Sequence, residues 1–121
     1  MNYLQIFINE LKLRGISWCT GQCGREGHRR GFVVKDEPVV HYDTKIATRK
    51  TLRGGLHEIA HAFLNEKGMR RFEAEAQAER WSIERMRELG VSIPRGQVAS
   101  GQRYVKRMKR WGDAIRAGRK K

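Results

Sequence analysis

Long apolar runs are missing from the sequence, and so is any segment typical of a secretory signal. The N-terminal stretch MNYLQIFINELKLRG has no basic start and only a three-residue apolar run. A helix that spans a bilayer needs about 20 predominantly apolar residues. We therefore expect a chain without a transmembrane segment that resides in the cytoplasm.

Cysteine is also scarce, since Cys19 and Cys23 are the only two in the chain. In a reducing compartment such a pair usually stays as thiols or binds metal. The spacing C-x3-C-x4-H to His28, with His41 as a fourth ligand, would allow a structural zinc site. Two intervening residues are the usual form of such sites, and no second cysteine pair follows. We therefore favour a glycine-bounded turn with two free thiols.

Acidic residues are few: 13 Asp and Glu oppose 26 Lys and Arg, which gives a formal net charge of +13. Residues 101–121 contain nine basic residues and one acidic residue, so most of the excess lies in the last fifth of the chain. Such a field attracts nucleic acid, acidic proteins or anionic membrane surfaces, although a solvated basic tail remains an alternative. The residues expected to make non-specific nucleic-acid contacts are Arg103, Lys106, Arg107, Lys109, Arg110, Arg116, Arg119, Lys120 and Lys121.

The first third of the chain predicts one helix and a β-hairpin. Apolar residues recur at helical spacing over residues 2–14, and Gly15 ends the pattern. A glycine-rich irregular segment follows. Two short β-branched runs, residues 31–35 and 39–43, are separated by the turn-forming stretch DEP. This arrangement predicts two antiparallel strands.

Three further helices are predicted over residues 45–67, 70–89 and 97–117. Asp43 or Thr44 is the expected N-cap of the first, Gly68 its end, and Gly54 with Gly55 an alternative start. The last helix is basic, and we expect its apolar stripe to pack on the body of the protein. The sum is an α+β fold with a small antiparallel sheet and three to four helices. The residues of that stripe are Tyr104, Met108, Trp111 and Ile115.

The stretch LHEIAHAFL, residues 56–64, carries the clearest chemical signal. On an α-helix, positions four apart share a face, so His57 and His61 project side by side and can bind one Zn²⁺. Glu58 lies beside the first histidine, where it can act as a general base on water. The alternative, a pair of satisfied core histidines, explains less well why two histidines lie in so apolar a helix.

A third zinc ligand must come from a carboxylate, because no histidine follows His61. The next predicted helix places Glu75 and Glu79, four residues apart, on or beside its apolar stripe. Carboxylates on a core-facing side are costly unless they are paired or bind metal. We expect Glu75 to bind zinc and Glu79 to accept the outer N–H of a liganding histidine. Exchange of their roles, with Glu79 as the third ligand, stays open, as do ordinary ion pairs with nearby arginines.

HEIAH followed by EAEAQAE resembles the gluzincins, the thermolysin-type zinc peptidases. It resembles most the minimal phage and bacterial metallopeptidases that include repressor-cleaving anti-repressor enzymes. The resemblance covers residues 31–90 and implies a zincin-like metallopeptidase domain over residues 1–95. Residues 96–121 would then form a basic amphipathic C-terminal helix and tail. A phage-encoded member of this kind would act in the host cytoplasm.

By this resemblance His57, His61 and Glu75 are metal ligands and Glu58 is the catalytic base. The chain departs from the pattern in its short link between the two helices and in Glu79, where the anti-repressor type tends to have an apolar residue. The function implied is a zinc-dependent metallopeptidase that acts on DNA-bound or acidic protein substrates. The alternative is a small basic nucleic-acid-binding protein with a structural zinc site.

Overall fold

A computed structural model describes residues 1–20 and 32–119, and it leaves out the side chains of the last two of these residues. The described residues form an α+β structure with four helices and one two-stranded sheet. None of these helices has the length and apolarity that crossing a bilayer requires. In chain order the elements are α1 (Tyr3–Arg14), β1 (Ser17–Cys19), β2 (Val39–His41), α2 (Arg49–Phe63), α3 (Arg71–Glu88) and α4 (Arg95–Arg119).

The sheet is parallel, so the predicted antiparallel hairpin was wrong. β2 pairs with β1 in a register that places Ser17 opposite Val39. Residues 32–34 form no strand, but Trp18 N–H donates to the Phe32 carbonyl (2.6 Å) and Val34 N–H donates to the Ser17 hydroxyl (2.7 Å). Strand β1 has only three residues, which is too short for an alternating pattern to reveal it. A strand was therefore predicted at the β-branched run of residues 31–35 instead.

Helix α2 begins later than predicted and passes through both glycines. Its N-cap is Thr48, whose hydroxyl accepts the Thr51 N–H at 3.1 Å. A Cβ on Gly54 would collide with the Tyr42 hydroxyl, and one on Gly55 would lie 3.3 Å from Ile46. The two glycines therefore serve close packing against the preceding segment rather than mark a helix boundary. The helix ends at Phe63, before Gly68.

The hydrophobic core lies between α1, α2 and α3. Helix α2 turns one apolar face toward α1 and the sheet, and its opposite face, which carries the histidines, toward α3. Each large apolar side chain buried in this way contributes roughly 1.5–3 kcal/mol. The fully buried large side chains of the core include Phe7, Leu11, Ile16, Leu52, Leu56, Ile59 and Met86.

A cluster of charged side chains, the α1–α3 ion-pair cluster, joins the first and third helices. It consists of Glu10, Arg14, Arg85 and Glu88. Glu10 is only 3% exposed and accepts hydrogen bonds from Arg85, including one from Nη2 at 3.0 Å. Arg14 approaches the same carboxylate at 3.3 Å, and Arg85 also donates to Glu88 at 2.9 Å. The cluster thus matches two carboxylates with two guanidinium groups.

Helix α4 packs on α3 through a different stripe from the one predicted. The inner positions recur with heptad spacing and include two glycines, which let the helix backbones approach closely. Tyr104 and Trp111 from the predicted stripe are 39% and 57% exposed. Met108 and Ile115 are half-buried. Glycine has no side chain and does not contribute to an apolar pattern. The predicted stripe therefore lies about one position too far round the helix. The inner positions are Val98, Gly101, Val105, Met108, Gly112 and Ile115.

Candidate metal centre

Helices α2 and α3 bring together the three side chains predicted as metal ligands. One ligand atom each from His57, His61 and Glu75 lies within 4.8 Å of the others. The two histidine Nε2 atoms are 3.1 Å apart, and the Glu75 oxygens lie 2.8 Å from Nε2 of His57 and 3.3 Å from Nε2 of His61. Two nitrogens bound tetrahedrally to one Zn²⁺ are separated by about 3.3 Å. The spacing therefore matches that of ligands around one metal ion.

A carboxylate lies at the outer nitrogen of each histidine. Glu79 Oε2 is 3.0 Å from Nδ1 of His57, and Glu66 Oε1 is in hydrogen-bond contact with Nδ1 of His61. Because an ionised carboxylate only accepts, both Nδ1 atoms must donate, and each neutral imidazole then has a lone pair on Nε2. In this neutral tautomer the two Nε2 lone pairs and the Glu75 carboxylate face one another, whereas a protonated Nε2 would donate to Glu75. Such a place attracts a cation.

Glu79 is held on its second oxygen as well. Arg53 Nη1 donates to Glu79 Oε1, so one carboxylate joins the guanidinium to the His57 ring. Burial lowers the pKa of the Arg53 guanidinium below its usual value. A Cβ on Gly101 of α4 would lie 2.8 Å from the Glu79 carboxyl carbon and 3.0 Å from Arg53 Nη1. The C-terminal helix therefore covers the pair that orients His57.

Three of these supporting residues were missed by the sequence analysis. Glu66 lies in the turn after α2, five residues past His61, where helical periodicity no longer says which way a side chain points. Arg53 and Gly101 are brought to Glu79 only by packing between helices. The one sequence signal available was the presence of an acidic residue in a short connection directly after the second histidine.

His61 binds a proton more readily than an isolated imidazole would. Burial by itself would lower the pKa of His61, but the hydrogen bond to Glu66 and the nearby charge of Glu75 outweigh it, and the pKa is raised above its ordinary value. Protons and a metal ion compete for the same lone pairs. The surroundings of His61 therefore favour positive charge at its ring.

A cleft of about 500 Å³ opens beside His57. Glu58, predicted as the catalytic base, is half-buried in its wall next to His57. The Tyr42 hydroxyl donates to the Thr51 carbonyl at 2.8 Å, and burial, together with the charge of Glu58, raises the pKa of this phenol. The full lining is Tyr42, Thr44, Lys50, Thr51, Arg53, Gly54, His57, Glu58 and Glu79.

The second possible zinc site, formed by Cys19, Cys23, His28 and His41, lies only partly within the described residues. Cys19 is buried and is not a free thiol, contrary to the expectation of two free thiols. Cys23 and His28 lie outside the described residues. His41 is exposed at the end of β2. Within the described parts of the chain, His57, His61 and Glu75 are the group that meets the geometric requirements for metal binding.

No family model matches the chain, and no curated protein or solved structure matches it either. The gluzincin resemblance and the zincin-like fold therefore stay predictions.

Proposed function

We propose that this protein is a zinc-dependent metallopeptidase. His57, His61 and Glu75 would hold the zinc ion, and Glu79 and Glu66 would orient the two imidazoles. The observation that carries the proposal is the convergence of two Nε2 atoms on one carboxylate, with a carboxylate in contact with each outer nitrogen.

The donor set and its charge both fit zinc. Two imidazoles and one carboxylate are a ligand set of catalytic zinc sites, in which the fourth position is left for water or substrate. Three carboxylates surround the imidazoles, and among the described residues Arg53 is the cation that pairs with one of them. A divalent cation would offset the remaining negative charge. A purely structural core would not need so many carboxylates around neutral rings.

Peptide-bond hydrolysis is the reaction that suits the neighbouring cleft. Zinc in such a ligand set lowers the pKa of water toward about 7 and polarises a carbonyl group. Glu58 lies next to His57 in the cleft wall, where its carboxylate can take a proton from water and pass it to the leaving amine. Glu79 and Glu66 hold the imidazole rings in the required tautomer. Substrate enters along the cleft, which is open to solvent.

Replacement of the proposed base tests this function. We expect Glu58→Gln to bind as much zinc as the wild type but to hydrolyse peptides at least about 100-fold more slowly, because general-base catalysis contributes that much or more. Zinc content is measured by atomic emission and hydrolysis with a quenched-fluorescence peptide mixture. Glu84→Gln, an exposed change of the same chemistry on α3, serves as the control and should retain full activity.

Nucleic-acid binding with a purely structural zinc ion is the second candidate function. It is favoured by α4, on which the basic residues with described side chains are exposed. On that hypothesis Glu58→Gln changes nothing, whereas neutralising α4 weakens DNA binding and reduces its salt dependence. A wild-type protein that binds zinc and DNA but hydrolyses no peptide would contradict the peptidase. The exposed residues are Arg103, Lys106, Arg107, Lys109, Arg110 and Arg116.

A further inference from the structure

One cation in the cleft is left unused by the proposed chemistry. Lys50 lines the same wall as Glu58, two helical turns toward the N-terminus of α2, and its side chain is exposed. Within residues 1–20 and 32–119 it forms no ion pair or hydrogen bond. The other cation on this wall, Arg53, is paired with Glu79. Lys50 is therefore the positive group that a bound molecule in the cleft would meet.

The surroundings of Lys50 strengthen its positive potential. The first turn of α2 contains no acidic residue, and the helix dipole adds partial positive charge at this end. Arg49 precedes Lys50 and donates to the Ser92 hydroxyl at 2.5 Å, which holds it beside the same turn. The chain as a whole carries a net charge of +13, which raises the local concentration of acidic molecules.

Midway along α2 between Lys50 and Glu58, the cleft is lined by a glycine. Gly54 lies one turn from each, and a Cβ there would collide with the Tyr42 hydroxyl. The absence of that Cβ lets the Tyr42 phenol lie against the helix backbone, where it is held by its hydrogen bond to Thr51. An extended peptide can therefore run along this wall of α2 over an aromatic surface.

The distance along α2 between Lys50 and His57 indicates which residue of such a peptide Lys50 can reach. Seven residues of helix separate Lys50 from His57, a distance of about 10 Å. An extended peptide advances about 3.3 Å per residue. A substrate residue two or three positions from the bond beside Glu58 therefore comes within reach of the Lys50 side chain.

We propose that Lys50 forms a subsite for an acidic side chain, so that the enzyme prefers substrates with Asp or Glu two or three residues from the cleaved bond. This proposal rests on the proposed function, since it assumes that a peptide lies in the cleft. It assigns the acidic preference to one exposed lysine rather than to the net charge of the chain.

Cleavage of a random peptide library by the zinc-loaded protein tests the subsite. Mass spectrometry of the products should show Asp and Glu enriched about threefold to fivefold at that position, the range of one partly exposed ion pair. Lys50→Glu should shift the enrichment to Lys and Arg. This variant is expected to fold, because an acidic residue is favourable in the first turn of a helix. Lys12→Glu makes the same charge change on α1 and should leave the preference as in the wild type.

A binding measurement gives a readout that does not depend on turnover. Fluorescein-labelled peptide pools that differ only in Glu or Gln are titrated against the Glu58→Gln protein, alone and combined with Lys50→Glu. The Glu58→Gln protein should bind the Glu pool about threefold to fivefold more tightly than the Gln pool. The protein that also carries Lys50→Glu should bind the Glu pool more weakly than the Gln pool. Hydrolysis by the wild type without acidic enrichment, or an acidic preference that survives Lys50→Glu, overturns the subsite alone. Absence of any hydrolysis by the wild type overturns both the subsite and the peptidase.

Discussion

Two clusters of charged side chains on α3 differ in whether their charges balance. In the α1–α3 ion-pair cluster, two carboxylates meet two guanidinium groups. In the candidate metal centre, Glu66, Glu75 and Glu79 surround two imidazoles, and the one guanidinium group paired with them among the described residues is Arg53, at Glu79. The guanidinium groups of the first cluster balance its carboxylates, whereas Glu66, Glu75 and Glu79 carry more negative charge than Arg53 offsets. This contrast separates a cluster whose charges are balanced within the fold from one whose side chains could hold a metal ion.

Substitution of Glu75 should have the largest effect on zinc binding. Because Glu75 contacts both Nε2 atoms, we expect Glu75→Gln to weaken zinc binding by more than the roughly 10–100-fold that loss of a supporting carboxylate causes. The metal-free protein should keep its free energy of unfolding, since one uncompensated charge is removed. Competition with a chromophoric chelator measures the first quantity and urea denaturation the second. A variant that binds zinc as the wild type does would remove Glu75 from the ligand set.

The supporting carboxylates should have a smaller effect on the metal. We expect Glu79→Gln and Glu66→Gln each to weaken zinc binding about 10–100-fold, because each fixes the tautomer of one liganding histidine. Chelator competition on the two variants compares them directly. If Glu79→Gln abolished binding while Glu75→Gln had little effect, the roles of the two carboxylates would be exchanged.

A substitution in the α1–α3 ion-pair cluster should lower stability and leave zinc binding unchanged. We expect Glu10→Gln to lower the free energy of unfolding by about 2 kcal/mol and to leave zinc affinity unchanged. That cost is below the roughly 3–5 kcal/mol of a fully buried pair, because Arg85 keeps Glu88 and 22% of its side chain is exposed. Urea denaturation of the metal-free variant gives the value. A loss of zinc affinity in Glu10→Gln would show that the two clusters are coupled through α3.

Acid should weaken the ion-pair cluster by a smaller, graded amount. Burial alone would raise the pKa of Glu10, but the hydrogen bond from Arg85 and the charge of Arg14 outweigh it, and the pKa is lowered from its usual 4.5. A group with a lowered pKa stabilises the fold above its unfolded value and loses that contribution as the pH falls through the folded value. The stability difference between wild type and Glu10→Gln should therefore shrink below about pH 4.5 in metal-free protein. A difference that is constant down to pH 2 would contradict this assignment.

Much of the local structure was predictable because it depends on neighbours along the chain. Gly15 and Gly90 follow α1 and α3 with positive φ angles, as helix-ending glycines do. The four helices were placed within a few residues of their observed bounds, apart from the start and end of α2. The parallel pairing of β1 with β2 was not predictable, because three-residue strands carry no usable periodicity and the paired residues are 22 positions apart in the chain.

The candidate metal centre likewise has some features that the local sequence determines and others that only tertiary packing determines. Side chains four residues apart on one helix must share a face, so His57, His61 and the adjacent Glu58 could be placed from the sequence alone. Glu75 and Glu79 could be narrowed to one face of the next helix, but only the packing of α3 on α2 assigned one to the inner nitrogens and the other to an outer nitrogen. Local spacing is set by helix geometry. Contacts across helices, such as those of Glu66, Arg53 and Gly101, depend on how turns and neighbouring backbones bring distant residues together, and no local pattern encodes them.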